Sequence, residues 1–137
     1  MNKVTVISFV FLLLSLFSCQ SFAQVTGDLY NIGLEKSAKG DYYGAISDFT
    51  KVIEQYPNEP KPIHYRGINK FNLKDYEGAI ADFDKVLKLN PKYPDAYYYR
   101  GMAKVGAKKK KDSCPDFQKA KELGYMAAQV ALDKYCK

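Results

Sequence analysis

From Asp41 to about Gln55 the apolar residues Ala45, Ile46, Phe49, Val52 and Ile53 recur at intervals of three and four, the spacing of one buried helix face. Ala79, Ile80, Phe83 and Val86 repeat that pattern 34 residues later. The correspondence is dense: Asp41-Tyr42-x-Gly44-Ala45-Ile46-x-Asp48-Phe49-x-Lys51-Val52 lies over Asp75-Tyr76-x-Gly78-Ala79-Ile80-x-Asp82-Phe83-x-Lys85-Val86. Windows 26–59, 60–93 and 94–127 align without a gap, with Gly33, Gly67 and Gly101 in one column. Asp48, Asp82 and Asp116 form another column, Phe49, Phe83 and Phe117 a third, and Pro57 and Pro91 close the first two copies. Self-similarity at a fixed period of this size marks a stacked repeat.

Each copy predicts a helix A, a tight turn, a helix B and a turn into the next copy. In copy one, helix A spans about 28–38, and Lys39-Gly40-Asp41 makes the turn. The Gly suits a left-handed cap and Asp41 caps the next helix. Copy two predicts helices near 61–73 and 77–89, opened by Pro60 and Pro62, which the first turn of a helix tolerates. Copy three opens at Pro94-Asp95 and runs to about Ala107; there the spacing assigns the cap of helix B to Asp112, with Pro115 still in the first turn. A last segment, about 125–136, places Ala128, Leu132 and Tyr135 on one side and covers the final apolar face. The expected architecture is all-α: three helical hairpins in a solenoid plus a capping helix.

These residues carry a resemblance. A small residue at the eighth position, Tyr at the seventeenth, Ala at the twentieth, an aromatic at the twenty-fourth and Pro at the thirty-second are similar to the tetratricopeptide repeat. The match covers residues 26–127 and weakens in copy three, where Lys110, Ser113 and Tyr125 replace the Tyr, Ala and Pro. The resemblance implies that the A helices line a concave groove for a peptide or extended protein segment. By position, that groove would show Tyr30, Leu34, His64, Tyr65, Ile68, Phe71, Tyr98, Tyr99 and Met102. An aromatic face with polar tips suits a protein interface, although the same tyrosines also suit interhelix packing. Relatives that grip a C-terminal carboxylate use Lys, Asn and Arg here; Tyr30, Leu34 and Ile68 lack that chemistry.

The first 23 residues read differently. Lys3 precedes an apolar run from Val4 to Phe17, and Ser21-Phe22-Ala23 offers small residues at a signal-peptidase site. Residues 1–23 are therefore expected to be an export signal and 24–137 the repeat domain. The run falls short of the roughly 20 apolar residues a spanning helix needs. Leu16-Phe17-Ser18-Cys19 resembles a lipobox, which leaves lipidation at Cys19 as a second reading. Only that reading holds the protein at a membrane. Both readings make it an exported protein of a Gram-negative bacterium, expected in the periplasm or at the outer membrane, with secretion as a further alternative.

Charge and cysteine refine this address. The chain carries 21 basic and 15 acidic groups, net +6. Four lysines, Lys108, Lys109, Lys110 and Lys111, sit together. They read as a solvated turn, or else as a basic patch that docks on anionic lipid, glycan or an acidic partner. One knot of lysines without interleaved aromatics argues against nucleic acid. Cys114 and Cys136 lie at equal distances before and after Tyr125, so a hairpin turning there brings them to the same end and predicts a disulfide. Small exported domains use such staples.

The sequence offers no catalytic constellation. A nucleophile needs a base and an orienting group, and His64 is the single histidine. A metal site needs three or four convergent ligands, and no glycine-rich phosphate loop is present. No cofactor is expected. Arg66 and Arg100 stand where the repeat commonly has Leu, and the Asp column offers them partners, within a copy (Arg66 to Asp82) or between copies (Arg66 to Asp48). The expected function is a non-enzymatic adaptor that binds a protein segment. The alternative is an envelope-anchored structural lipoprotein that contacts membrane or glycan through its lysines. Three copies are close to the minimum for a stable array, which leaves weak self-association through an end helix open.

Overall fold

The computed structural model describes residues 25–137. The proposed leader and the lipidation candidate Cys19 lie outside them. Seven helices and no strand make up the described residues. Helix α1 covers 25–38, followed by α2 (Tyr42–Gln55), α3 (Pro60–Asn72), α4 (Tyr76–Leu89), α5 (Pro94–Gly106), α6 (Lys110–Glu122) and α7 (Ala127–Tyr135). None of them is long and apolar enough to cross a membrane. From α2 onward each helix packs on its sequence neighbours, and α3 also touches α5. The A helices therefore sit on the inside of the curve. The chain is an all-α solenoid of three hairpins closed by a capping helix.

Local chemistry sets the hairpin turns. Gly40, Lys74 and Lys108 occupy one column and all take positive φ, at 81°, 63° and 62°. Directly after that residue, Asp41 and Asp75 cap α2 and α4 by accepting the N–H groups of Gly44 and Gly78, each at 3.0 Å. In the third hairpin the cap column holds Lys109, which makes no side-chain cap bond. Asp112 thus does not cap α6. The left-handed turn at Lys108 starts the helix at Lys110, and Asp112 lies inside its first turn. Pro115 follows in the second turn, where its ring removes one ladder hydrogen bond.

The core is a row of three phenylalanines. Phe49, Phe83 and Phe117 are fully buried, one per B helix. Each A-helix glycine makes room for the ring of its own copy. A methyl placed on Gly67 would lie 2.9 Å from Phe83, and one on Gly101 would lie 2.6 Å from Phe117. Closer helix approach than any side chain allows is what these columns encode.

The aspartate column is buried and fully engaged. Arg66 grips Asp82 through Nε and Nη2 at 2.9 and 2.6 Å, and Lys70 adds a contact at 2.8 Å. The pairing is within the copy, as is that of Arg100 with Asp116. The third guanidinium nitrogen turns back to the preceding hairpin, to Thr50 from Arg66 at 3.3 Å and to Asp84 from Arg100 at 2.6 Å. Forked arginine geometry lets one side chain serve both bonds. Copy one has Ile32 in this column, and there Lys36 holds Asp48 at 2.6 Å.

Cys114 and Cys136 are joined, with their Cα atoms 5.7 Å apart. The bond ties the start of α6 to the end of α7. Closing this loop contributes roughly 3 kcal/mol in the chain-entropy account.

Candidate functional site

The inner face is built from rings. Each buried phenylalanine is flanked by an aromatic of its own A helix and one from the next element. Phe49 lies 5.8 Å from both Tyr30 and Tyr65. Phe83 lies 5.7 Å from His64 and 6.1 Å from Tyr99, and Phe117 lies 6.0 Å from both Tyr98 and Tyr135. In all three the ring from the following element stacks nearly parallel, at 19–24°. Such pairs add about 0.5–1.5 kcal/mol beyond the area they bury. The tyrosines are thus joints between hairpins and, being half-buried, keep part of each side chain accessible.

Eight of the nine groove residues read from sequence are half-buried on this face: Tyr30, Leu34, Tyr65, Ile68, Phe71, Tyr98, Tyr99 and Met102. Ile68, Phe71 and Tyr99 lean on the central core cluster. His64 is a correction. It is 3% exposed, ringed by Tyr65, Phe83, Tyr93 and Tyr99, and part of the interior. In the outer copies its column holds Tyr30 and Tyr98, but in the middle copy neighbours close over it from both sides. Burial pushes its pKa down to about 4, so the ring is neutral at pH 7, and its Nδ1 finds no partner among the described residues.

Two cavities open along the row. One, about 340 Å³, is lined by Thr26, Tyr30, Val52, Tyr56, Glu59 and Pro62, among others, at the first-copy end. The other, about 300 Å³, lies between α5 and α7, with Tyr98 and Met102 facing Ala127, Val130, Ala131 and Tyr135. The α7 wall was missed by the sequence reading. Val130 and Met126, four residues apart and 69% and 84% exposed, are an apolar pair off the Ala128–Leu132 stripe that signals a second open face.

Hydroxyl chemistry concentrates where the A helices begin. Burial, reinforced by Tyr65, Tyr93 and Glu59, raises the Tyr30 pKa to about 12. Burial, with Tyr99, Asp95 and Tyr98, raises that of Tyr125 to about 12, and Tyr125 donates a hydrogen bond to Tyr99. These phenols stay protonated and offer donors and acceptors to whatever enters. The lysine knot lies at the opposite ends of the A helices. Lys108 to Lys111 are all exposed, and Lys109 pairs with Glu77 at 2.7 Å. Among the described residues no group of three or more His, Cys, Asp or Glu is placed to hold a metal.

Sequence profiles of the tetratricopeptide repeat match residues 29–59, and of the TPR repeat residues 70–106. The first repeat domain of Spaghetti (RPAP3), solved bound to the HSP90 peptide SRMEEVD, superposes with a TM-score of 0.78 at 28% identity. The match covers 82% of this chain and 91% of that one. The chain is a tetratricopeptide repeat protein. Its repeats also resemble the first such domain of human RPAP3, at 27% identity and TM-score 0.77, covering 81% of this chain and 89% of that domain. MamA is similar at 26% identity and TM-score 0.72, with 82% of this chain aligned to 64% of that one. No curated protein matches the tetratricopeptide repeat chain significantly.

Proposed function

We propose that the protein is a non-enzymatic adaptor of the bacterial cell envelope that holds an extended segment of another protein in its inner groove. The carrying observation is the row of half-buried tyrosines ending in the cavity of about 300 Å³ beside Tyr98 and Met102. Rigid rings fixed by packing present edges and hydroxyls at small entropic cost, which favours binding over collapse. A similar repeat domain carries a peptide, as the Spaghetti complex records. The Cys114–Cys136 disulfide supports an oxidising compartment, in line with an exported chain released after Ala23.

A photo-crosslinking amino acid placed at Met102, with a second placed at Lys111 as comparison, tests this in living cells. A discrete crosslinked partner from position 102 is expected, and little from position 111. Crosslinks only from position 111 would move the function to the basic turn and sink the groove reading. Mass spectrometry of the accumulated protein shows whether it begins at Gln24 or at an acylated Cys19.

A further inference from the structure

Among the described residues, one carboxylate that is not exposed makes no ion pair. Asp48, Asp82 and Asp116 are each held by arginine or lysine. Asp95 is half-buried in the first turn of α5 and makes no ion pair with a described residue. The first-turn position tolerates an acid because the helix N-terminus is partially positive. It does not supply a counter-charge, in a chain whose net charge is +6.

Asp95 lies three and four residues before Tyr98 and Tyr99 on α5, so the three share one helix face. Tyr98 lies 4.7 Å from Tyr125 and 5.5 Å from Tyr99, ring centre to ring centre, the second pair at 83°. Burial raises the pKa of Tyr93, Tyr99 and Tyr125, and the Asp95 charge adds to the rise in each. Electron-rich ring faces beside an unpaired carboxylate attract cations, and arginine most often. Tyr98 and Tyr99 stand edge to face, whereas Tyr98 and Tyr125 are tilted by 33°. At Tyr30, Leu34 and Ile68 the groove also lacks the basic residues that an acidic terminus would need.

Resting on the groove reading above, we propose that the tyrosine cluster around Asp95 receives a cationic side chain, an arginine or lysine of the bound segment. The preference is opposite in charge to the acidic peptide carried by the Spaghetti domain.

The test is an NMR titration of the labelled chain with Ac-Gly-Gly-Arg-Gly-Gly-NH2 and with the isosteric, neutral citrulline peptide. The glutamate peptide and diacetylchitobiose are the further arms. Tyrosine ring and backbone resonances of Tyr98, Tyr99 and Tyr125 should move saturably with the arginine peptide, at least tenfold more tightly than with citrulline. Asp95→Asn, checked for an unchanged thermal midpoint, should remove that preference while leaving a weaker common binding. The arginine and citrulline comparison needs no variant, so it decides the matter even if Asp95→Asn proves unstable. Equal binding of arginine and citrulline peptides in the groove overturns the cationic assignment and leaves the groove reading standing. So does a preference that survives Asp95→Asn. Tighter saturation by the saccharide overturns it in favour of a glycan. Silence from every groove resonance with every peptide overturns both.

Discussion

The middle and third hairpins share a backbone but are held together differently. In α3–α4 the sequence agrees with itself at each level: Asp75 caps α4, Phe83 fills the space opposite Gly67, and Tyr76 packs against Gly106 of the next copy. In α5–α6 the cap column holds Lys109, lysines crowd a helix start whose partial charge repels them, and Pro115 breaks a ladder bond. A disulfide then fastens what the local signals leave loose. Caps and packing hold the middle hairpin, whereas the third adds a covalent tie from α6 to the end of α7.

The largest effect should come from the middle. Phe83→Ala should cost about 3–5 kcal/mol by urea unfolding, because it empties the fully buried space between Gly67 and Tyr99. A loss under 1 kcal/mol would mean that the centre is no better packed than the ends, and the contrast would dissolve. Reduction, or Cys114→Ser with Cys136→Ser, should cost roughly 3 kcal/mol. Hydrogen exchange should place that loss in α6 and α7, with α3 and α4 retaining their protection. Uniform loss of protection would show that the tie serves the whole array.

Acid probes the middle from another direction. Unfolded His64 titrates near 6.5 and folded His64 near 4, so the unfolded chain binds the extra proton between those values. Stability from this group is complete above pH 6.5, falls as pH drops towards 4, and changes no further below. The span corresponds to on the order of 3 kcal/mol. His64→Phe should flatten that part of the pH profile relative to the parent, measured as thermal midpoints from pH 7 to 4. Parallel profiles would remove His64 from the account. The smallest effect sharpens the other side: Lys109→Asp should stabilise by about 1 kcal/mol by restoring the cap. The exposed pair that it forfeits with Glu77 is worth little.

Most of the architecture was legible because a period of 34 repeats its own helix faces, turns and glycines, and each copy corroborates the others. The errors fall where one copy's surroundings outweigh its own letters. Asp112 beside Pro115 looks like a helix start taken alone, but Lys108 turns the chain in register with Gly40 and Lys74 and puts the cap at Lys109. His64 shares a column with two half-exposed tyrosines. Its burial is completed by Tyr93 at the very end of its own copy and by Tyr99 from the next, which the aligned column does not announce. The wall that α7 gives the second cavity was invisible for a related reason, since α7 repeats no earlier segment and its face cannot be read by alignment.

The backward reach of Arg66 and Arg100 makes each internal hairpin self-sufficient at its seam. The guanidinium that secures its own aspartate also latches onto the B helix before it, and Asp84 waits on α4 for the arginine that follows. The first copy carries Ile32 at this position and no latch. A duplicated middle hairpin inserted ahead of the third would arrive with both halves of this fastening, and would lengthen the trough without inventing a new joint.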